Sequence, residues 1–304
     1  MDIDLSGSRA YLLTRWCSSV ASSPRVAAFI RVLTLELPGA AQFSLSSTAP
    51  KLCSNIERMT ICSSSATYLD RDSDGAAIQT WIIAKCPSRF SFFRNGYFRN
   101  SYLSAFWTAQ SRIRFLSIPN LLIADPFPLH EEQLPALRGL ETSWAHSLPT
   151  ARPLERIQLR LYPHSLEVPE LSPLHSFSGT LTRLNILSPH IKYFLEQALP
   201  QAVRELPRLV HLGIKEQHSD VYREPERMMQ MDLCDCHFPI VALERLPSLA
   251  SLVLYTYTVV EFTLDARNYT LETPAEVEAL GRAVMARCPR MINTGLGYFT
   301  VDTK

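Results

Sequence analysis

Glycine is scarce in this chain, with 10 residues among 304. The sequence contains neither G-x-x-x-x-G-K-[ST] nor G-x-S-x-G, so the common phosphate-binding loop and the common hydrolase turn are not expected. A large excess of charge of one sign is also missing, because the formal net charge is +1. This near-neutral balance argues against a nucleic-acid binder that works through bulk positive charge.

Long hydrophobic runs and a regular cysteine framework are missing as well. No stretch of about 18 uncharged apolar residues occurs, so we expect no membrane span. Residues 1–8 are polar and acidic, unlike a secretory signal. The seven cysteines are odd in number and scattered. These features predict an intracellular protein of the cytoplasm or nucleus, where thiols stay reduced.

What the sequence does contain is an apolar phrase of the type L-x-x-L-x-L that recurs about ten times. Apolar residues two positions apart lie on the same side of a strand, so each phrase predicts one short strand. The fuller phrases begin at Ile30, Ile56, Ile113, Leu154, Leu181, Leu209 and Leu249, and degenerate copies begin at Phe90, Leu137 and Met291. Such recurrence is typical of a solenoid, in which each unit buries its apolar side against its neighbours.

The phrases stand on average about 29 residues apart, near the upper end of the range for leucine-rich repeats. Helical patterns lie between them, over residues 74–85, 192–206 and 274–287. Pro200 is expected to bend or split the second helix, and Thr273 to cap the third. Residues 216–240 are polar and then rich in Met and Cys, which indicates a loop insertion.

We therefore predict an α/β fold, an irregular leucine-rich-repeat-like solenoid with a curved, mainly parallel sheet and helices on the outer face. Residues 1–24 are expected to form an N-terminal capping helix region, and residues 25–304 a single solenoid domain. The alternative is an all-helical repeat array, which requires apolar spacing of 3.6 residues.

Several segments resemble a known family. Residues 25–37, Arg-Val-Ala-Ala-Phe-Ile-Arg-Val-Leu-Thr-Leu-Glu-Leu, resemble the passage from helix to strand in fungal (basidiomycete-type) F-box/leucine-rich-repeat-like proteins. Residues 134–157 and 198–214 resemble the middle repeats of that family. The resemblance implies the substrate-binding half of an F-box subunit of a ubiquitin ligase. An F-box itself is not recognisable before Val26, so the resemblance does not extend to docking on the ligase adaptor.

The outward positions of the predicted strands are the candidate binding surface. Residues between the apolar positions of a strand point to the opposite face of the sheet. Those positions are Arg58, Arg89, Arg156, Gln158, Arg160, Arg183, Asn185, His211 and Lys215, with Glu36 and Glu141 as acidic exceptions. From this set we select Arg156, Arg160, Arg183, His211 and Lys215 as candidate protein-binding residues for an acidic segment. The alternative is a solvated face that neighbouring loops neutralise.

Other motifs favour neither catalysis nor a cofactor. Cys234-Asp-Cys-His237 lacks the C-x-x-C spacing of zinc sites, which favours a plain loop. The run from His130 to Glu132 lacks the second His of H-E-x-x-H, which favours a solvated helix start. The aromatic and Arg-rich residues 90–102 indicate a buried, atypical repeat, with a single-strand stacking platform as the alternative.

The functional prediction is a non-catalytic protein-recognition module with no cofactor, metal, nucleic acid or membrane. Two alternatives stay open. One is an enzyme whose active residues come from several loops, and the other is a truncated or degenerate family copy without a retained partner.

Overall fold

The structure is a computed structural model that describes residues 1–37, 53–63, 90–96, 103–119, 129–143, 148–161, 171–188, 191–216, 236–256 and 261–298. It divides into two compact units, Met1–Thr142 and Ser143–Lys304. Arg89, Cys234 and the helix predicted over residues 74–85 lie outside the described residues. The prediction that residues 25–304 form a single domain stays a prediction.

The first unit contains six parallel strands that pair in chain order. They are β1 (Asp2–Leu5), β2 (Val32–Leu37), β3 (Arg58–Ser63), β4 (Phe92–Asn95), β5 (Phe115–Ile118) and β6 (Gly139–Thr142). Its helices are a 3-10 turn (Gly7–Leu12), α1 (Leu13–Ser22), α2 (Pro24–Phe29) and α3 (Ser104–Ala109). The predicted capping region thus contains helix α1 and also strand β1, which the sequence did not suggest.

An aromatic cluster fills the core of the first unit between β4 and α3. Phe90, Phe93, Phe106 and Trp107 are all buried, with ring centroids 4.9 Å apart for Phe93 and Phe106. Rings buried in this way contact one another and are closed to a nucleic acid, so the buried repeat is confirmed for Phe90 and Phe93 of the predicted segment. The stacking-platform alternative is wrong for them.

The second unit contains five parallel strands that also pair in chain order. They are β7 (Arg156–Arg160), β8 (Arg183–Ser188), β9 (His211–Glu216), β11 (Ser251–Thr256) and β14 (Asn293–Tyr298). A separate sheet joins β10 (Cys236–His237), β12 (Glu261–Leu264) and β13 (Arg267–Thr270). The strands of this small sheet lie in the two longest intervals between phrases, which run from Leu209 to Leu249 and from Leu249 to Met291. These additional strands explain why the two intervals are long.

The helical segments of the second unit follow from local sequence signals. They are a 3-10 helix (Ser172–Phe177), α4 (Ile191–Tyr193), a π-helix (Phe194–Ala198), α5 (Leu199–Glu205), α6 (Ile240–Leu243) and α7 (Pro274–Arg287). Pro200 has no N–H to donate to the carbonyl four residues earlier, and the π-helix lies on that side of it. The predicted helix is therefore present as a continuous run over residues 191–205, in which a π-helical segment lies just before Pro200.

Helix α7 has the start that the sequence predicts. Thr273 is its N-cap, and the Thr273 hydroxyl accepts a hydrogen bond of 3.3 Å from the backbone N–H of Glu276. Leu280 and Val284 are buried on its inner side.

The fold-class prediction is confirmed. All ten phrases lead into strands of the large parallel sheet, and most of their apolar residues supply the core, as for Leu33, Leu35, Leu184 and Ile186. The all-helical alternative is wrong, because the phrases are strands. Among the described residues, no helix is long and apolar enough to cross a bilayer.

Candidate functional site

The strands of the second unit present one apolar and one polar face. Burial alternates along β7, β8 and β11, with every second side chain exposed or half-buried. Apolar residues such as Ile157 and Leu184 point to the core, so the residues between them point outward. We call the outward side chains of β7, β8, β9, β11 and β14 the polar face.

The first row of the polar face brings three of the candidate residues together. The strand register pairs Arg156 with Arg183 and Arg183 with His211, and the row continues through Ser251 to Asn293. Arg156 and Arg183 are exposed, and His211 is half-buried. The two guanidinium groups therefore start from neighbouring strands, about 4.8 Å apart, at the same level of the sheet.

The other two candidates lie in a different row. Arg160 pairs with Leu187, and Leu187 pairs with Lys215, so an apolar side chain separates the two cations. Each of these two residues lies four positions beyond the first row on its own strand. Arg160 and Lys215 thus belong to the polar face, but they do not join the Arg156 and Arg183 pair.

The outward positions of the five described strands carry no Asp or Glu. The second row holds Gln158, Asn185, Gly213, Val253 and Gly295. Arg156, Arg160 and Lys215 each interact with further residues. Within the described part of the chain, no carboxylate forms an ion pair with the exposed Arg183.

His211 is held by two hydrogen-bond partners from the neighbouring strands. Its Nδ1 lies 3.1 Å from the hydroxyl of Ser251, and its Nε2 lies 3.1 Å from Oδ1 of Asn185. Asn185 reaches the imidazole because Gly213 has no side chain, and a Cβ at Gly213 would collide with Asn185 Oδ1. The sequence signal for this contact was a glycine in the middle of a strand, which often marks a close approach of another group.

His211 was selected from the sequence together with four cationic side chains, but its own charge differs from theirs. Burial lowers the pKa of its imidazole below the usual 6.5, and the nearby Arg183 and Arg156 lower this pKa further. At neutral pH the imidazole is therefore mostly neutral. The positive charge of the polar face comes from its arginines and Lys215.

The outward face of the first unit has a mixed character. Arg58 lies over the ring of Phe92, with its guanidinium carbon 4.8 Å from the ring centroid. Glu141, expected as an exposed exception, is buried and accepts a hydrogen bond of 2.6 Å from Ser117. Glu36 accepts a hydrogen bond from the backbone N–H of Gly7. A row of cations like that of the second unit is not formed by the described residues here.

Two sequence motifs have a different local structure from the one expected. Cys236 and His237 form strand β10 instead of a loop, and burial and the nearby Glu196 raise the pKa of the Cys236 thiol to about 12. The residues from His130 to Glu132 lie in a turn and do not start a helix. No group of three or more potential metal ligands occurs among the described residues.

One comparison with known proteins supports the fold class. The structure is similar to the crystal structure of the leucine-rich repeat-containing protein LegL7 from Legionella pneumophila, with a TM-score of 0.55 and 15% sequence identity. The match covers 98% of this chain and 91% of that chain. A scan against protein-family models gave no match, and a search of the curated proteins gave none either. The chain is thus leucine-rich-repeat-like in fold.

Proposed function

We propose that this protein is a non-catalytic recognition module that binds an acidic protein segment on the polar face of the second unit. The observation that carries this proposal is the pair of exposed arginines, Arg156 and Arg183, which lie side by side on parallel strands whose described outward positions carry no Asp or Glu. Parallel strands in register fix the spacing of the two Cα atoms, so the two arginine side chains start from neighbouring positions of the sheet.

Arginine is suited to this role because its planar guanidinium can donate two parallel hydrogen bonds to one carboxylate. Two arginines on neighbouring strands can hold one acidic group together or two successive groups of an extended peptide. The similarity to a leucine-rich-repeat protein supports a binding scaffold, and the sequence resemblance to F-box proteins supports substrate recognition for a ubiquitin ligase.

A charge-reversal variant tests the proposal. We expect Arg156→Glu with Arg183→Glu to leave folding intact, because exposed substitutions rarely cost more than about 0.5 kcal/mol each. Partners recovered with the tagged protein at moderate salt, identified by mass spectrometry, are expected to be lost. Recovery of the same partners with parent and double variant would contradict the proposal.

A matched control separates the effect of changing the polar face from the effect of changing the net charge. Arg204→Glu with Arg245→Glu makes the same change in charge at two exposed residues outside the polar face. This control is expected to retain the partners. Recovery of a cullin-ligase adaptor with the parent protein would support the ligase role, and a parent protein that recovers no specific partner would favour the degenerate-copy alternative.

One observation bears on the enzyme alternative. Ser251, His211 and Asn185 form a hydrogen-bonded chain, and a neutral imidazole beside a serine hydroxyl is the arrangement used to activate a nucleophile. These residues lie on strands rather than loops. The cavity of about 560 Å³ between α7 and β14 is lined by other residues. Under the recognition proposal, a fluorophosphonate probe forms no adduct at Ser251. A stoichiometric adduct that Ser251→Ala abolishes would favour the enzyme.

A further inference from the structure

The imidazole of His211 lies between two oxygen atoms that can accept from a protonated ring, and beside two arginines whose charge opposes that protonation. We propose that Arg156 and Arg183 form a seat for one oxyanion group of the acidic segment, and that His211 gains a proton when this group binds. The inference rests on the proposed function and adds to it the chemistry of the bound group and its dependence on pH.

The seat follows from strand register. Arg156 and Arg183 are direct partners across β7 and β8, and both side chains are exposed. Guanidinium groups that start about 4.8 Å apart can converge on a single carboxylate or phosphoryl group from its two sides. Both groups are oxyanions that a protein segment can carry, as Asp and Glu side chains or as a phosphorylated residue.

The hydrogen-bond partners of His211 suit both of its charge states. In the neutral state, the Ser251 hydroxyl donates to Nδ1 and the Nε2–H donates to Asn185 Oδ1. In the imidazolium state both ring nitrogens donate, and Ser251 can accept after its hydroxyl turns. Protonation therefore breaks no hydrogen bond between heavy atoms and requires only the rotation of one O–H.

The charged groups around His211 decide when it takes up this proton. Arg183 on β8 and Arg156 on β7 face it from one side, and Lys215 lies four residues later on its own strand. On the other side β11 contributes Ser251, Val253 and the phenol of Tyr255, and β14 contributes Asn293. Burial and the two arginines hold the pKa of the imidazole low in the unbound protein. An oxyanion on the seat offsets the positive field of the arginines.

The direction of the pH dependence of binding follows from the difference in imidazole pKa between the bound and the unbound protein. The bound state has the higher imidazole pKa, so the complex carries more protons than the unbound protein at a pH between the two values. Affinity therefore rises as the pH falls through that window, and it is constant above the pKa of the complex. Glutamate side chains have a pKa of about 4.3, so their charge stays constant near neutral pH.

The test uses a fluorescent peptide of alternating glutamate and serine, with binding followed by fluorescence anisotropy. We expect the affinity to increase about twofold to fourfold between about pH 7.5 and about pH 6, because this interval covers only part of the change that a rise of one pKa unit gives. His211→Asn should bind the peptide at both pH values without this increase. The matched control, His237→Asn at an exposed histidine on β10, should keep it.

A direct measurement accompanies the binding curve. In an NMR titration, the His211 ring signal is assigned as the one missing in His211→Asn. Its pKa is expected to rise on addition of the glutamate peptide. Circular dichroism of each variant checks that the fold is retained.

A second peptide identifies the source of the oxyanion. It carries phosphoserine in place of one central glutamate, and phosphoserine itself titrates with a pKa of about 6. Tighter binding than the glutamate peptide at about pH 7.5 would assign the seat to a phosphoryl group. Equal or weaker binding would assign it to a carboxylate.

The outcomes separate this inference from the proposed function. Binding that is lost in Arg156→Gln with Arg183→Gln and rises on acidification only when His211 is present supports the inference. Binding that needs the arginines but does not change with pH overturns the proton uptake and leaves the recognition proposal standing. Binding that survives the arginine substitutions overturns the seat, and no binding by the parent protein overturns both proposals.

Discussion

Gly213 lies in the middle of strand β9, where the side chain of Asn185 crosses the strand to reach His211. A Cβ at this position would collide with Asn185 Oδ1, which is the end of a flexible side chain. The amide can rotate away, so the collision acts on the hydrogen bond and leaves the backbone in place.

We therefore predict that Gly213→Ala changes the free energy of unfolding by less than about 1 kcal/mol. The same change should reduce the gain in peptide affinity at about pH 6, because the imidazolium loses one acceptor. Denaturant unfolding and fluorescence anisotropy measure the two effects. Gly179→Ala is the control, since a Cβ there meets no atom within 4 Å. Equal loss of the pH response in both variants would contradict the role of Gly213.

For single residues, the sequence predicted the side of the sheet on which a side chain lies better than it predicted which other residues contact that side chain. Strand alternation correctly placed Arg156 and Arg183 on the exposed side of the sheet. It could not predict the surroundings of His211, because Asn185 and Ser251 lie 26 and 40 residues away in sequence. The burial of Glu141 was missed for a similar reason, since its partner Ser117 belongs to the preceding strand.

At the scale of elements, the N-cap of α7 offers a test of local stability. Thr273→Ala removes the hydroxyl that accepts from the Glu276 N–H, and leaves that donor without its protein partner. We predict a loss of about 1 kcal/mol in the free energy of unfolding, measured by chemical denaturation. Thr273→Ser keeps the hydroxyl and should lose only a small part of this stability. A similar loss in both variants would show that the hydrogen bond is not the cause.

The elements differ in how well the sequence predicted them. The ten phrases carry two signals, alternation and recurrence, and all ten lead into strands of the large parallel sheet. The short strands β1, β10, β12 and β13 were missed, because they lie outside the recurring phrases and are too short to show a periodic pattern of their own. Strands β5 and β6 are also only four residues long, but they were predicted because they belong to the recurrence. The π-helix before Pro200 was predicted only as a bend or split, since a proline shows where a hydrogen bond is lost and not how the chain adapts.

At the scale of the whole molecule, the net charge is small but positive side chains are concentrated on one face of the second unit. The net charge is +1, yet four cations, Arg156, Arg160, Arg183 and Lys215, lie on one face of the second unit. A nearly neutral protein exerts little long-range attraction, so these cations act at distances of about the screening length, roughly 10 Å in 0.1 M salt.

We predict that the association rate of the glutamate peptide falls strongly between about 0.05 and about 0.5 M salt, while its dissociation rate changes less. Stopped-flow fluorescence measures both rates. A peptide with glutamine in place of glutamate provides the control and should show no such salt dependence. A glutamate peptide whose association rate stays constant with salt would contradict an electrostatic contribution of the polar face.

The order of strands has a consequence for how the chain folds. Within each unit the strands of the large parallel sheet pair in the order in which they follow one another along the chain. Partners are then separated by about one repeat, so the contact order stays low for a β-rich protein. During synthesis, at about 5–20 residues per second, a repeat of about 29 residues needs a few seconds to emerge. Each new strand therefore leaves the ribosome when its partner is already available for pairing.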